Sequence, residues 1–312
     1  MRILISGGTG FIGLPLVRRL LKAGHQVRVL TRDVQAAEGM LPKEAEAYTW
    51  AVPDPVPPNA LAGVDAVVHC LGENVGKWPW NEDRKRIIRN SRIDSTRCLV
   101  ESIESIADAA DRPKVLVCAS AVGYYGDSGG AWRHEADGPG PGFLASVVKE
   151  WEAEIFKAEA LGLRTVAMRL GVVLGDGGAL DKMLPPFKLG AGAVVGSGRQ
   201  YLSWIHRSDV AEAFIFALEA QAARGPINVC APEPATNREF SNGLARAVRR
   251  PRLLRIPAWA VSMALGEMGR ETLLASQRVS PDKLTGLGYR FRYPTLESAL
   301  ADIMTHARKR RR

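Results

Sequence analysis

The sequence predicts an α/β fold: a Rossmann-type, doubly wound parallel sheet with a smaller C-terminal α+β substrate cap. Two observations predict it. Over the first 174 residues, apolar runs of strand length alternate with helical runs, which is typical of a parallel sheet covered by helices on both faces. Residues 2–32 contain an apolar strand, a glycine-rich turn, a helix and a second apolar strand, the order of a dinucleotide-binding unit.

The glycine-rich turn carries the phosphate chemistry of this unit. Gly7, Gly10 and Gly13 are spaced so that the backbone can turn sharply, approach a pyrophosphate and pack the next helix on the strand. Phe11 and Ile12 lie at the positive N-terminus of that helix. We expect all five residues to contact the cofactor; the alternative is a tight turn that binds nothing.

The end of the second strand favours NADP(H) over NAD(H). An NAD site usually has Asp or Glu there to hold the ribose 2′-hydroxyl, whereas this chain has Thr31 and Arg32 before Asp33. The planar Arg32 cation suits a 2′-phosphate, with the Thr31 hydroxyl beside it. The alternative is that Arg32 is solvated and Asp33 holds the ribose.

Composition limits the other function classes. The chain has 312 residues, 46% of them apolar, a formal charge of +9, and no apolar run long enough to span a membrane. The four cysteines form no C-x-x-C pair, and the scattered histidines predict no metal site. We expect a cytoplasmic protein that acts on a small molecule, with no membrane partner. The basic tail, residues 308–312, is expected to be solvated, and we do not expect nucleic-acid binding. The oligomeric state stays open.

The order of predicted elements divides the chain into two parts. Residues 1–174 and 202–231 are expected to form the NADP(H)-binding domain, and residues 175–201 and 232–312 the substrate cap and C-terminal module. The glycine-rich stretch 175–198 is predicted to be a loop. Ser208 is expected to cap one later helix, and Thr236 with Glu239 to form a capping box on another.

Longer strings of residues carry a family resemblance. Residues 7–13 together with 120–126 resemble the extended short-chain dehydrogenase/reductases, and the chain resembles most an atypical branch of them, the YfcH-like epimerase family, nearly end to end. The strings that carry this resemblance are residues 71–74, Ser91 and Arg92, Ser95 and Thr96, Trp151 and Glu152, and residues 169–175, 183–187, 196–200, 204–206 and 277–279.

The resemblance implies the fold and the cofactor more firmly than the reaction. The wider superfamily moves a proton with Tyr-x-x-x-Lys, but none of the six tyrosines of this chain has lysine four residues later. Ala121 occupies the usual serine position, with Ser120 one place earlier. Ser120, Tyr124 and Lys149 are the best remaining candidates for proton transfer, although each has an ordinary structural role as its alternative.

Further site residues follow from the resemblance and from one misplaced charge. The resemblance puts adenosine near Cys70, Leu71 and Gly72, and nicotinamide near Val172. Arg92 falls on the apolar stripe of the helix predicted over 82–106, so this cation needs an anionic partner. That partner is either a cofactor phosphate or an internal carboxylate.

Two main functions compete at this point, and nucleic-acid or surface binding through the basic tail is a third hypothesis. The first is an NADP(H)-dependent oxidoreductase or epimerase acting on a small polar substrate, nucleotide-linked substrates included, with Glu73, Arg199 and His206 as substrate-facing candidates. The second is a non-catalytic NADP(H) sensor or scaffold, which the missing Tyr-x-x-x-Lys pair favours. The sequence does not name the substrate.

Overall fold

The structure is a computed structural model that describes residues 1–309, with the side chains of all of these except 252, 253 and 307–309. The side chains of the basic tail therefore lie outside the described residues, and its role stays a prediction. The strands are β1 (Arg2–Ser6), β2 (Gln26–Thr31), β3 (Glu46–Thr49), β4 (Ala66–His69), β5 (Val115–Ala121), β6 (Trp132–Arg133), β7 (Arg164–Leu170), β8 (Val172–Leu174), β9 (Gly192–Val195), β10 (Tyr201–Leu202), β11 (Trp204–His206), β12 (Gly225–Val229), β13 (Ala235–Thr236), β14 (Arg252–Ile256) and β15 (Arg278–Val279).

The helices lie between the strands in the expected alternation. They are α1 (Gly13–Lys22), α2 (Val34–Glu38), α3 (Pro58–Leu61), α4 (Glu82–Glu104), α5 (Phe143–Phe156), α6 (Ala179–Lys188), α7 (Arg207–Glu219), α8 (Asn237–Val248), α9 (Ala258–Gly269), α10 (Asp282–Gly286) and α11 (Leu296–Lys309). A π-helical turn, Arg270–Leu274, continues α9.

Seven strands form the main sheet, in the order β12-β7-β5-β4-β1-β2-β3, and every neighbouring pair is parallel. The predicted doubly wound parallel sheet is confirmed. The chain leaves β1 towards β2 on one side and reaches β4 on the other, so the strand order reverses at β1. Ligands of such sheets bind outside the carboxyl ends of the strands at this reversal.

The inner strands form because they are continuous apolar runs that can be buried on both faces. Ile3, Leu4 and Ile5 of β1 are completely buried, as are the inward-facing Leu16 and Leu20 of α1. β7 and β8 are separated at Gly171, where β8 leaves the main sheet to pair with β11.

A second hydrophobic cluster covers the carboxyl side of the sheet. Trp204, Leu180 and Leu184 pack there with residues of α8 and α11. The expected capping box of α8 is present, with Thr236 and Glu239 bonded to each other's backbone N–H groups. Leu284 and Tyr289, which also lie in the predicted C-terminal module, belong instead to the hydrophobic cluster around the main sheet. The division into two domains therefore stays a prediction.

Two local predictions are wrong. Stretch 175–198 is not only loop, because it contains α6, whose Leu180, Leu184 and Phe187 recur at helical spacing and are buried. The helix assigned to a Ser208 cap is capped by His206, whose Nδ1 accepts the backbone N–H of Ser208 at 3.1 Å. Within residues 1–309 no helix is long and apolar enough to cross a bilayer.

We expect Gly13→Ala to destabilise the protein by about 1–3 kcal/mol, because overpacking forces the backbone to shift. A Cβ at this position would lie 2.1 Å from the Gly7 carbonyl oxygen and 2.7 Å from Gly8 Cα. The change in free energy of unfolding can be measured with urea. Gly39→Ala is the control: its nearest contact would be an ordinary 3.6 Å. Equal effects of the two substitutions would contradict the close packing of α1 on the turn.

Candidate functional site

The turn between β1 and α1 provides open backbone donors at the strand-order reversal. Gly7 has φ 74°, a conformation that side chains disfavour, and its carbonyl accepts the Gly10 N–H at 3.0 Å. Helix α1 then begins with Ile12 as its N-cap, with no side-chain cap and no acidic residue in the first turn. The N-terminus of α1 therefore presents the positive end of its dipole without a side-chain cap or an acidic neighbour in its first turn.

The residues that follow β4 lie beside the glycine turn. A Cβ on Gly7 would lie 2.8 Å from the Cys70 carbonyl oxygen and 3.1 Å from the Leu71 nitrogen, so the two backbones run in close contact. A Cβ on Gly72 would lie 3.2 Å from Cζ of Arg92. Burial raises the pKa of the Cys70 thiol to about 12, which keeps it neutral. The predicted Cys70 and Leu71 therefore lie against the glycine turn, and Arg92 lies beside Gly72.

Arg92 has no carboxylate partner in the described part of the chain. Its Nη1 donates to the Ile88 carbonyl at 2.9 Å, and its guanidinium lies 5.4 Å from the ring centre of Trp151. Burial lowers the pKa of Arg92 to about 10, while the nearby Glu73 charge raises it, so the side chain stays cationic at neutral pH. The internal ion pair that was the alternative interpretation is not formed.

The end of β2 separates the roles of two charged residues. The Asp33 carboxylate accepts the Ala36 N–H at 2.9 Å and so caps α2. Thr31 is joined to Asp33 through its hydroxyl. Arg32 is exposed, and it makes no hydrogen bond or ion pair with any of residues 1–309. Its guanidinium is therefore available to a ligand, whereas the carboxylate of Asp33 is already engaged.

Phe11 and Val172 lie where the turn meets the segment after β7. The half-buried Phe11 ring contacts the turn at Gly177 and Gly178, where a Cβ would lie 3.2 and 3.0 Å from the ring, and the Arg207 guanidinium lies 5.0 Å from its centre. Val172 is half-buried at the start of β8, with its N–H bonded to the Ser203 carbonyl.

A buried polar network lies between β5, β7 and α5. Arg169 donates to both oxygens of Glu152, at 2.8 Å from Nε and 2.7 Å from Nη2, and both side chains are nearly inaccessible to solvent. The Ser120 hydroxyl donates to the same carboxylate at 2.6 Å. Arg169 also donates to the Tyr125 hydroxyl, which in turn donates to Asn228 at 2.8 Å. The network joins two strands to the helix behind them.

Tyr124 lies above this network. Its ring centre is 3.6 Å from Cζ of Arg169, and its hydroxyl has no hydrogen-bond partner within the described residues. Lys149, by contrast, is on the exposed face of α5. The structure therefore brings Ser120 and Tyr124 together around Arg169 but does not bring Lys149 to them.

The three substrate-facing candidates occupy separate surroundings, and no contact joins them. Glu73 is paired with Lys77 and Arg84, and the Lys77 hydrogen bond is the largest cause that lowers its pKa to about 2. Arg199 is exposed in the turn between β9 and β10. His206 is buried as the N-cap of α7, with Nε2 3.3 Å from Asp302. Burial lowers the pKa of His206 to about 4, and both ring nitrogens have protein neighbours.

Comparison with known proteins agrees with this geometry. The family model described as the NAD dependent epimerase/dehydratase family matches residues 3–230. The chain belongs to that family. A domain of unknown function, DUF1731, matches residues 256–303.

Relatives extend over the whole chain. Epimerase family protein YfhF of Bacillus subtilis is 37% identical over 306 residues, 97% of this chain and 98% of that protein. The chloroplastic SDR39U1 homologue of Arabidopsis thaliana is 38% identical, covering 97% of this chain and 87% of the relative, so the family does not decide the compartment. The crystal structure of human SDR39U1 with NADPH aligns with a TM-score of 0.83 at 33% identity, covering 98% and 99% of the two chains.

The sequence analysis did not identify the ion pair of Arg169 and Glu152, which forms the centre of the buried polar network. Trp151, Glu152 and Arg169 entered only as parts of family strings. One signal could have found the ion pair: Arg169 is a charge inside a strand that is otherwise apolar near its carboxyl end, and a buried cation requires a carboxylate. Glu271, whose carboxylate accepts the backbone N–H groups of Phe143 and Leu144, has no comparable signal in the sequence, because it comes from a distant segment.

We expect Glu152→Gln to lower the free energy of unfolding by about 3–5 kcal/mol, because it leaves the buried Arg169 without a counter-charge. Glu150→Gln on the same helix is the matched control. Glu150 pairs with Arg89, and side chains of both are more than 40% exposed, so its loss should cost under about 1 kcal/mol. Similar losses in the two variants, measured by urea unfolding, would show that the buried pair has no special weight.

Proposed function

We propose that the protein binds NADP(H) and prefers it to NAD(H). The observation that carries this proposal is the end of β2, where Arg32 is exposed without a partner among the described residues and Asp33 is engaged as a helix cap. A carboxylate that already caps α2 is a poor ligand for a ribose 2′-hydroxyl, whereas a free guanidinium suits a 2′-phosphate. Human SDR39U1, solved with NADPH, supports the same choice.

The remaining cofactor contacts follow from charge. The uncapped N-terminus of α1 and the backbone of Gly7, Gly10 and Gly13 would hold the pyrophosphate. Arg92 would supply the cation beside Gly72, since a buried guanidinium without a carboxylate is stabilised by an incoming phosphate. The bound dinucleotide supplies hydride transfer at the nicotinamide, which the family resemblance puts near Val172.

We expect NADPH to bind roughly 10- to 100-fold more tightly than NADH, because a hydrogen bond to a charged group contributes about 1.5–3 kcal/mol. Arg32→Ala should remove this preference and leave the NADH dissociation constant unchanged. Titration of cofactor fluorescence measures both constants. Arg18→Ala, an exposed arginine of α1, is the control. Equal constants for the two cofactors in the wild type would refute the preference.

For the reaction, we propose an oxidoreductase or epimerase with Tyr124 as the group that exchanges a proton with a small polar substrate. Tyr124 has an uncommitted hydroxyl among the described residues, and Arg169 fixes the position of its ring. Ser120 is already hydrogen-bonded to Glu152, and Lys149 is exposed, so neither is placed as a direct proton donor. The C-terminal module would cover the substrate, and a cytoplasmic location fits this role.

A second candidate, a non-catalytic NADP(H) sensor, is favoured by one observation. The helix after β5 presents Leu144 beside Gly123, not a phenol. The conserved superfamily chemistry therefore has no direct replacement on α5. The two candidates differ in turnover but not in cofactor affinity.

We expect Tyr124→Phe to cut turnover by about 10²- to 10⁴-fold with little effect on NADPH affinity, because general acid catalysis contributes that much. The assay incubates the protein and C4-deuterated NADPH with pools of nucleotide-linked keto sugars and small carbonyl compounds, whose carbonyl groups can accept the hydride. Mass spectrometry then follows deuterium into product. Tyr48→Phe, a tyrosine paired with Glu46 on the edge strand, is the control. The absence of deuterium transfer across a broad pool would favour the sensor.

A further inference from the structure

A cleft lies between the segment that follows β5 and the π-helical turn Arg270–Leu274. Its volume is about 190 Å³, and we refer to it as the Arg270 cleft. Its lining combines the segment after β5, the start of α5 and the π-helical turn; the lining residues are Gly123, Gly126, Asp127, Pro141, Gly142, Leu144, Arg270, Glu271, Ala275 and Gln277. The cleft therefore includes Gly123, the residue that precedes Tyr124 in the chain.

The π-helical turn is fixed in this position by Glu271. Its two carboxylate oxygens accept the backbone N–H groups of Phe143 and Leu144, at 2.6 and 2.7 Å. These are the first residues of α5, which has no cap of its own because Gly142 precedes it. A carboxylate from 128 residues away thus satisfies the N-terminus of α5. π-Helical turns are rare and often occur at functional sites.

The polar groups of the cleft divide into committed and uncommitted ones. Both oxygens of Glu271 are used, and Oδ1 of Asp127 accepts the N–H groups of Gly129 and Ser276. The amide nitrogen of Gln277 donates to the Gly126 carbonyl, which leaves its oxygen as an acceptor. The Arg270 side chain has no hydrogen bond or ion pair with the residues that the structure describes.

The carboxylates of Glu271 and Asp127 form no ion pair with Arg270, because each accepts hydrogen bonds from backbone N–H groups instead. The uncommitted groups are thus one forked cation and two acceptors, Asp127 Oδ2 and Gln277 Oε1. A ligand that matches them has a carboxylate for the cation and a hydroxyl that donates to an acceptor. Leu144 and Ala275 leave an apolar wall for a short carbon chain.

We propose that the Arg270 cleft binds a small hydroxy acid, with its carboxylate on Arg270. At about 30 Å³ per water, the cleft holds roughly six waters, which is room for a compound of similar heavy-atom count. This inference rests on the proposed function, because it names a substrate class for the proposed oxidoreductase or epimerase, at a cleft whose lining includes Gly123, the chain neighbour of Tyr124. Arg270 would be its specificity-determining residue, supplied by the C-terminal module.

The test titrates lactate into NADPH-saturated protein and follows binding by saturation-transfer difference NMR. The reduced cofactor cannot oxidise lactate, so binding is observed without turnover. We expect Arg270→Gln to weaken lactate binding at least tenfold and Arg270→Lys to weaken it less, because lysine keeps the charge but loses the fork. Propane-1,2-diol, which lacks the carboxylate, should not bind to any of the proteins.

Two controls separate the possible failures. Arg290→Gln removes an exposed arginine of the same module and should leave lactate binding unchanged, and the NADPH affinity of each variant reports that it is folded. Lactate binding that is absent, or independent of Arg270, in protein that still binds NADPH would overturn this inference alone. Tighter Arg270-dependent binding of inorganic phosphate than of lactate would overturn the hydroxy-acid assignment. Wild-type protein that does not bind NADPH would overturn the proposed function itself.

Discussion

The candidate site depends on one buried ion pair. Arg169, near the end of β7, and Glu152, in the third turn of α5, are both withdrawn from water and satisfy each other with two hydrogen bonds. Removing two charges from solvent is costly, so the pair is tolerated only in an accurate geometry with its other polar atoms satisfied. Ser120, Tyr125 and Asn228 provide those bonds. The Arg169 guanidinium also stacks on the ring of Tyr124. The position of the proposed proton donor is thereby determined by a structural charge.

The arginines of the molecule show which cations the fold uses and which it leaves for ligands. Arg164 is buried, but its nitrogens donate to the carbonyls of Ala217, Leu218 and Ala223, at the end of α7. This arginine stabilises the helix C-terminus and needs no ligand. Arg32 and Arg92 differ, because neither is paired with a carboxylate in the described chain; Arg32 directly follows β2, and Arg92 lies beside Gly72, after β4. Unpaired cations beside an uncapped helix N-terminus match a ligand with several phosphate charges.

The sequence predicted the parts of this arrangement that depend on local pattern. The glycine spacing, the apolar strands and the parallel order follow from short-range periodicity and from the rules of βαβ connection, and the structure confirms the resulting sheet. Helix α6, within stretch 175–198, was not predicted, because the glycines of the stretch and the prolines at 185 and 186 are typical of a loop and its apolar stripe has only three residues. His206 was missed as a helix cap because a histidine in that role is uncommon, and its burial depends on Asp302 and Tyr293 from the end of the chain. Lys149 was a candidate because it lies on the helix that follows the strand of Ser120, but it is on the exposed face of α5.

The least predictable contacts are those between residues 3–230, which match the epimerase family model, and residues 256–303, which match DUF1731. Asp209, in the first turn of α7, accepts the backbone N–H groups of Arg292 and Tyr293. Glu271 does the same for α5 from the opposite direction. In each case a carboxylate from one part satisfies backbone donors of the other, so docking depends on a few directional bonds as well as on apolar area.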